Sequence, residues 1–308
     1  MTILIFSCNR ALQLQTLLNS LFTHLTVAVP YTVHVLYAAT DADYVSGYER
    51  ISISFPMVQF HREATQRRWA WPLPFQYWKN GLRFLRHKSL RRTSDFKAFT
   101  EQILAQSPHE GVMFLTDDSL FIRPERIDAA RLAMVLANPA STYSLSLRHG
   151  LTLRPLPPDI QPAAEQQYAW KFRPGQPDLG HWTWRFSVDG HVYPRQTVLS
   201  VLRRLHYANP NSLEGFMNDF VRTVRPDLFS TLLFNEQPAL VGFVLNKVQT
   251  FNANHSLDMS PAYLNQKLLV GYTLTYCYET PVTDFQPVLT AVELHQSATG
   301  HRETLLVA

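Results

Sequence analysis

The sequence predicts a mixed α/β fold whose central sheet is mostly parallel. The main observation is that strand and helix patterns alternate over roughly the first 120 residues, which is typical of a parallel sheet with helices on both faces. The second is the composition: 308 residues, 46% apolar and 17% charged, which suits an ordinary globular protein. A chain of this length forms one large domain or two small ones.

The first elements alternate clearly. Residues 2–6 are a short apolar run and predict a buried strand. A helix follows, which Ser7 or Asn9 is placed to cap. Its apolar face consists of Leu12, Leu14, Leu17, Leu18, Leu21 and Phe22. Residues 31–37 alternate and are rich in valine, so they predict the second strand.

The next elements continue the alternation. Residues 40–43 have turn chemistry, and residues 57–60 predict a third strand. Residues 96–105 place apolar side chains on one side of a helix, and residues 111–122 predict another buried strand. Ligands of such sheets bind at the carboxyl ends of the strands. We therefore expect residues 7–10, 40–43 and 117–118 to lie along one rim.

Two adjacent acids, Asp117 and Asp118, interrupt the apolar run of residues 111–122. Acids at the end of a buried strand are costly unless a cation sits against them. A common cation is a hard metal with oxygen ligands, often shared with a phosphate group. The alternative is that one of the acids simply caps a turn. The local pattern leaves both interpretations open.

The second half of the chain is less regular. Residues 151–177 are rich in proline and predict an excursion from the fold, whereas residues 186–192 predict a strand. A short helix is expected at residues 197–205, and Asn211 or Ser212 could cap the helix that carries Glu214. Further patterns are an apolar run at 239–248, a helix at 260–269 capped by Ser260, and a weak hairpin pattern after residue 282.

The composition indicates the cellular compartment in which the protein is expected. Cys8 and Cys277 are the only cysteines, so the chain has no disulfide framework or zinc cluster, and a reducing compartment is the simpler expectation. The apolar start, residues 3–6, lacks a basic leader and is too short for a signal peptide. No run of about 18 apolar residues is present. These observations predict a cytoplasmic protein.

A basic and aromatic segment stands apart from the rest of the chain. Residues 61–97 carry ten Lys or Arg against two acids, a charge of +8, whereas the whole chain carries +4. Within it, residues 67–92 could lie on an anionic membrane or on a lipid-linked substrate. Binding of single-stranded nucleic acid is a less favoured interpretation. The third interpretation of this segment is an insertion with buried aromatic side chains and solvated cations.

Several segments together resemble one known family. ILIFSCNRALQLQTLLNSL matches its first strand, turn and helix, and SDFKAFTEQIL with VMFLTDDSLFI matches the helix and strand that deliver its acidic motif. SLSLRHG, SVDGHVY and NPNSLEGFMN resemble its acceptor-side segments, and NKVQTFNANHSLDMSPAYLNQKLLVGYTL its closing loop and helix. The chain thus resembles nucleotide-sugar-dependent glycosyltransferases of the GT-A fold, close to the bacterial family-2-like group, over residues 1–275.

The chain also departs from that family. Its acidic motif is Thr116-Asp117-Asp118-Ser119 instead of a strict Asp-x-Asp. The usual Glu-Asp pair before the late helix is reduced to Leu213-Glu214-Gly215. These departures place the metal ligands and the catalytic base in question.

The resemblance implies a Rossmann-like GT-A domain, with residues 1–125 as the nucleotide-sugar-binding half and residues 126–308 as the acceptor-binding half. It implies transfer of a hexose from a UDP- or GDP-sugar to a saccharide or lipid-linked acceptor, with Mn or Mg and with inversion at the anomeric carbon, in bacterial polysaccharide biosynthesis. The enzyme would be cytoplasmic, with peripheral contact at the inner face of the membrane through residues 67–92. The alternative is a non-catalytic saccharide- or membrane-binding protein on a decayed transferase fold.

The same resemblance implies roles for individual residues. Asp118 and His255 are the expected metal ligands, and Asp117 would contact the ribose or a metal-bound water. The other expected nucleotide-sugar contacts are Ser7, Asn9, Arg10, Asp41, Lys97 and Arg148. An inverting transfer also needs a carboxylate that takes the proton of the acceptor hydroxyl. Glu214 is preferred and Asp189 is the second candidate. Each residue also has an ordinary interpretation as a cap, a turn residue or a solvated charge.

Overall fold

The structure is a computed structural model, and it describes residues 1–63, 68–69, 92–93, 95–164, 167–173, 175–176, 178–246, 257 and 259–306. Its helices are α1 (Ala11–His24), α2 (Ala42–Ser54), α3 (Phe96–Gln106), α4 (Ala129–Leu136), α5 (Arg195–Leu202), α6 (Pro210–Thr223) and α7 (Pro261–Leu269). Its strands are β1 (Thr2–Cys8), β2 (Leu25–Val27), β3 (Thr32–Ala38), β4 (Val58–Arg62), β5 (Arg68–Trp69), β6 (Arg92–Thr93), β7 (Gly111–Thr116), β8 (Ser119–Phe121), β9 (Glu125–Ile127), β10 (Tyr143–Ser146), β11 (Gln161–Ala164), β12 (Gln167–Lys171), β13 (His191–Pro194), β14 (Thr231–Asn235), β15 (Leu240–Gly242), β16 (Tyr272–Tyr278), β17 (Leu289–Gln296) and β18 (His301–Leu306).

A nine-stranded sheet organises the described residues, in the order β11-β12-β14-β10-β13-β7-β1-β3-β4. The strands β7, β1, β3 and β4 are mutually parallel, and β10 and β14 are parallel to each other. The strands β13 and β12 run against their neighbours. The predicted class, a mixed α/β Rossmann-like fold with a mostly parallel sheet, is therefore confirmed. Strands from both predicted halves share this sheet, and the boundary at residue 125 stays a prediction.

The strand order reverses next to β1. The chain passes from β1 to β3 and β4 on one side and then returns to β7 on the other. Phe6 pairs with Thr116, so the residues that follow β1 and β7 lie side by side. Because ligands of open α/β sheets bind where the strand order reverses, this crevice is where a site is expected.

Both faces of the sheet are buried, as β1 illustrates. Ile3 and Ile5 pack into the cluster that contains the apolar face of α1, whereas Leu4 and Phe6 pack into a second cluster that contains Phe96 of α3. Successive side chains of a strand point to opposite faces, so a strand covered on both faces has to be apolar throughout. Because of this requirement, the runs at residues 2–6 and 31–37 correctly predict the strands β1 and β3.

Other predicted elements differ from the structure. The predicted strand at 111–122 is divided into β7 and β8 by a turn at the two acids. The strand expected at 186–192 begins only at His191, because Gly190 adopts φ +75° and its N–H donates to Phe114 O at 2.8 Å, which turns the chain into register with β7. The hairpin expected after residue 282 belongs to a three-stranded antiparallel sheet of β16, β17 and β18.

Two predicted helix caps are also wrong. Arg10 occupies the N-cap position of α1, and that helix has no side-chain cap among the described residues, because Ser7 and Asn9 bond elsewhere. Asn209, not Asn211 or Ser212, caps α6, and its side chain accepts from Ser212 N at 2.8 Å. Within the described residues, no helix combines the length and apolar character needed to cross a membrane.

Candidate active site

The two acids after β7 share one cation, Arg10, which follows β1. Arg10 Nη1 lies 3.0 Å from Asp117 Oδ1 and 3.3 Å from Asp118 Oδ2. The Arg10 side chain is only 5% exposed, and its Nε donates to Asn246 Oδ1 at 2.7 Å. Its Nη2 donates to the Asn246 backbone oxygen. The cation that two buried acids require is therefore supplied by the protein itself.

Asp117 is fully bonded inside the protein. Its second oxygen, Oδ2, accepts from Ser7 Oγ at 2.8 Å and from Cys8 N at 3.1 Å. Tyr48 completes the cluster, since its hydroxyl lies 2.6 Å from Ser7 Oγ and accepts from Arg10 N at 3.2 Å. Burial raises the pKa of Asp117 to about 6, and the Arg10 guanidinium opposes this rise. Ser7, Arg10 and Asp117 come together as predicted, but as partners of one another.

Asp118 is the more accessible acid of the pair. Its side chain is 20% exposed, against 5% for Asp117. Its backbone oxygen accepts from Phe243 N at 2.7 Å, which anchors the turn to the chain beyond β15. Asp118 therefore presents a carboxylate to the crevice while its backbone is held in place.

Asn9 and Asp41 form the neighbouring part of the rim, after β1 and β3. Asn9 adopts φ +56°, and its side chain exchanges two hydrogen bonds of 3.0 Å with Thr40, through the Thr40 N–H and hydroxyl. Asp41 caps α2 by accepting from Tyr44 N at 3.1 Å. The two loops are thus tied together, and both side chains remain at the surface of the predicted nucleotide side.

A second carboxylate, Asp189, lies next to the acid turn. Its Oδ1 accepts from Thr116 Oγ1 at 2.7 Å, and Thr116 is the residue immediately before Asp117. Its Oδ2 forms an ion pair with Arg148, whose side chain is 5% exposed against 23% for Asp189. Arg148 also donates to Phe285 O at 3.3 Å. Arg148 is predicted to contact phosphate or sugar. In the described structure its side chain instead forms an ion pair with Asp189.

Glu214 lies beside Asp189, in the first half of α6. Its Oε1 accepts from Val188 N at 3.0 Å. Burial raises the pKa of Glu214 to about 8, and the negative charge of Asp189 adds to this rise. Burial therefore favours the protonated form of Glu214. The two predicted base candidates lie next to each other, and Arg148 forms an ion pair with Asp189.

A buried chain of polar side chains lies beneath this pair and has no counterpart among the predicted site residues. Tyr193 OH lies 2.9 Å from His191 Nδ1, His191 Nε2 lies 3.3 Å from His149 Nδ1, and Ser146 Oγ lies 2.7 Å from the same His149 nitrogen. Burial lowers the pKa of His191 to about 3 and that of His149 as well, so both rings are neutral. The only sequence signal was a histidine at the start of an otherwise apolar strand.

The remaining predicted residues lie apart from this group. Lys97 Nζ forms an ion pair with Glu101, donates to Leu202 O at 2.9 Å and lies 4.7 Å from the centre of the Tyr207 ring. His255 lies outside the described residues, as does the 67–92 segment except for the paired strands β5 and β6. Their predicted roles stay predictions.

The described residues fit a metal only in part. They contain no group of three or more His, Cys, Asp or Glu side chains able to hold an ion. Asp118 is the carboxylate whose accessibility suits a ligand, whereas both oxygens of Asp117 are bonded to protein donors. Magnesium commonly takes one or two carboxylates and completes its shell with phosphate oxygens and water. The site therefore fits a metal that arrives with a diphosphate.

A cavity of about 290 Å³ lies elsewhere, beside the start of α4. It contains a buried ion pair, Arg131 Nη1 to Glu125 Oε1 at 2.6 Å, which Asn235 bridges. None of the predicted site residues lines it. This cavity is therefore separate from the candidate site at the carboxyl ends of the strands.

Comparison with known proteins gives similarity only at the level of structure. No family model matches the sequence, and no curated protein matches it. Among solved structures, the chain is similar to residues 1–349 of S. aureus TarS, with 14% identity and a TM-score of 0.38, over 78% of this chain and 59% of that one. A longer structure of S. aureus TarS gives 12% identity and a TM-score of 0.37, over 87% and 42%. The chain thus spans well under two thirds of the TarS chains that it matches.

Proposed function

We propose that this protein is a glycosyltransferase that moves a sugar from a UDP- or GDP-sugar to a saccharide or lipid-linked acceptor. The observation that carries the proposal is that Asp189 contacts Thr116, directly before the acid turn that carries Asp118, and that Glu214 bonds to the loop of Asp189, beside the point where the strand order reverses. The order of the motifs that resemble GT-A transferases supports it. A cytoplasmic location and contact of residues 67–92 with a membrane are parts of the same proposal.

On the donor side, the leaving diphosphate develops negative charge as the anomeric bond breaks. A bound Mn or Mg ion neutralises such charge. Asp118 would hold this ion, with His255 as the proposed second ligand. Arg10 would hold Asp117 and the Asp118 side chain instead of contacting the donor. Asn9 and Asp41 would present polar groups to the nucleoside.

On the acceptor side, the geometry favours Asp189 over Glu214 as the base. A base has to accept a proton, and the raised pKa of Glu214 favours its protonated form. Asp189 is held by Thr116 and Arg148 and remains partly exposed, so it can approach an acceptor hydroxyl. In the proposed inverting reaction, Asp189 takes the hydroxyl proton while the acceptor oxygen attacks the anomeric carbon and the nucleotide leaves with the bonding electron pair.

Isothermal titration with UDP and with GDP, each with and without Mn, tests the donor site. We expect binding of at least one nucleotide that Mn strengthens, and a loss of about tenfold or more in Asp118→Asn. Asp227→Asn is the matched control, because Asp227 forms an exposed ion pair with Arg225. Failure of both nucleotides to bind, with or without Mn, would refute the donor site.

A second candidate function is a binding protein for saccharides without catalysis. The full internal bonding of Asp117 favours it, since the turn then offers one accessible acid where transferases of this type offer two. Release of nucleotide from a panel of UDP- and GDP-sugars separates the two functions. The transferase releases nucleotide above background, and release falls about 100-fold or more in Asp189→Asn. The binding protein stays at background with every donor.

A further inference from the structure

Thr116 occupies the junction between the acid turn and Asp189. It is the last residue of β7, directly before Asp117, and its hydroxyl lies 2.7 Å from Asp189 Oδ1 and 3.3 Å from Ser119 Oγ. The loop that carries Asp189 is separately anchored to β7, because Gly190 N donates to Phe114 O at 2.8 Å. The Thr116 hydroxyl is therefore not needed to hold the loop backbone, and its effect falls on the Asp189 carboxylate.

The direction of this hydrogen bond follows from proton counting. A threonine hydroxyl has a single hydrogen, and an ionised carboxylate can only accept. Thr116 therefore donates to Asp189, and its contact with Ser119 requires Ser119 to be the donor. Bonds from a hydroxyl to a carboxylate are among the stronger ones in proteins. The donor is also held firmly, since the β-branched threonine restricts its own χ1 torsion.

Thr116 and Arg148 together fix the plane of the Asp189 carboxylate. The χ2 torsion of aspartate is broad, so a carboxylate held through one oxygen can rotate. Arg148 holds Oδ2 and Thr116 holds Oδ1, which leaves the remaining lone pairs in one defined orientation. A base that has to meet an acceptor hydroxyl within hydrogen-bond reach benefits from such fixation.

We infer that Thr116 is a positioning residue: its hydroxyl orients the Asp189 carboxylate toward the acceptor hydroxyl. The inference rests on the proposed transferase function. It gives the first residue of the Thr-Asp-Asp-Ser motif a role on the acceptor side, whereas Asp118 acts on the donor side. One turn then couples the two halves of the site.

The test compares Thr116→Val, which keeps the shape and removes the hydroxyl, with Thr116→Ser, which restores the hydroxyl. Thr100→Val is the matched control, because Thr100 is fully buried and its hydroxyl has no hydrogen-bond partner in the described structure. In Thr116→Val we expect kcat to fall about 10- to 100-fold and KM for the donor to stay within about twofold. Thr116→Ser should recover most of kcat.

Several results would overturn the inference. An unchanged kcat in Thr116→Val would show that the hydroxyl does not orient the base. A loss of kcat that Thr116→Ser does not restore would assign the effect to side-chain shape. A rise in the donor KM at constant kcat would place Thr116 on the nucleotide side.

A stability measurement separates this inference from the proposed function. If the wild-type protein turns over no donor, the transferase proposal fails, and with it the positioning role. The underlying hydrogen bond is then still measurable from the melting temperatures of Thr116→Val, Asp189→Asn and the double variant. Losses in the double variant that are smaller than the sum of the single losses confirm the bond. Additive losses would show that the Thr116–Asp189 hydrogen bond is absent, and would overturn that part of the inference as well.

Discussion

The two carboxylate pairs at the rim of the sheet are neutralised in different ways. Asp117 and Asp118 share a guanidinium, Arg10, whose Nε, Nη1 and Nη2 all donate to protein acceptors. Arg148 forms an ion pair with Asp189, whereas burial shifts Glu214 toward its protonated form. In the first pair one cation contacts both acids, and in the second the cation contacts one acid while burial favours a proton on the other.

This difference separates structural from reactive acids. A carboxylate that is fully paired and bonded contributes to the fold and has little capacity for proton transfer. The second pair combines an ion pair with an acid whose pKa is raised by burial, and displaced pKa values are common at sites of acid–base chemistry. In the proposed transferase, the Arg10 cluster would support the crevice and Asp189 would take the proton.

Removal of Arg10 should have the largest effect on stability. Arg10→Met leaves Asp117 buried without its cation, and breaking a buried pair in this way costs about 3 to 5 kcal/mol in the free energy of unfolding. Chemical denaturation of the purified variant measures this loss. Arg50→Met is the control, since exposed Arg50 donates only to Leu269 O in the described structure, at 3.2 Å.

A second variant identifies the cause. Adding Asp117→Asn to Arg10→Met removes the unpaired charge, so the double variant should recover part of the lost stability. If Arg10→Met is no less stable than Arg50→Met, the contrast between the two carboxylate pairs fails, because the first pair would not depend on its cation.

The sequence predicted the need for a cation at the acid turn, but it did not identify Arg10 as that cation. The resemblance to GT-A transferases assigns Arg10 to the nucleotide. The contact between Arg10 and Asp117 joins residues 107 positions apart, and it depends on the register of β1 with β7. The apolar runs determine that the two strands form, whereas the register that brings a particular side chain to a particular acid is a tertiary property.

The Asp189–Glu214 pair shows the same contrast between what local sequence patterns predict and what depends on tertiary structure. Each residue was a candidate base on its own motif, but the charge state of Glu214 depends on its burial against the loop that carries Asp189. Burial of one side chain by another element is absent from local sequence patterns. The buried chain of Tyr193, His191 and His149 was missed for the same reason, since Tyr193 and His191 lie on β13 and His149 lies in the loop after β10.

Replacement of Glu214 should have the next largest effect, and one that depends on pH. The folded-state pKa of about 8 lies above the ordinary value of 4.5, so the fold favours the protonated form. This contribution to stability is complete below about pH 4.5 and is lost as the pH rises through 8. Glu214→Gln mimics the protonated acid. It should match the wild type near pH 5 and exceed its unfolding free energy by about 1 to 3 kcal/mol at pH 9.

Melting curves between pH 5 and 9 measure this difference. Glu279→Gln is the control, because Glu279 is exposed and should show no such trend. A Glu214→Gln variant that is less stable than the wild type at pH 9 would show that the fold favours the ionised form of Glu214. The proposed difference between the two pairs would then fail, and Glu214 would regain its place as the preferred base.

The smallest effect is expected at Lys97, which was predicted to face the diphosphate and which the structure pairs with Glu101, Leu202 O and the Tyr207 ring. Lys97→Met keeps the length and apolar stem of the side chain and removes the charge. We expect nucleotide affinity to stay within about twofold and stability to fall by about 1 kcal/mol or less, because the ion pair is partly exposed. Titration with UDP and GDP, beside Asp118→Asn as the positive control, measures the affinity. A tenfold loss in Lys97→Met would bring α3 into the donor site.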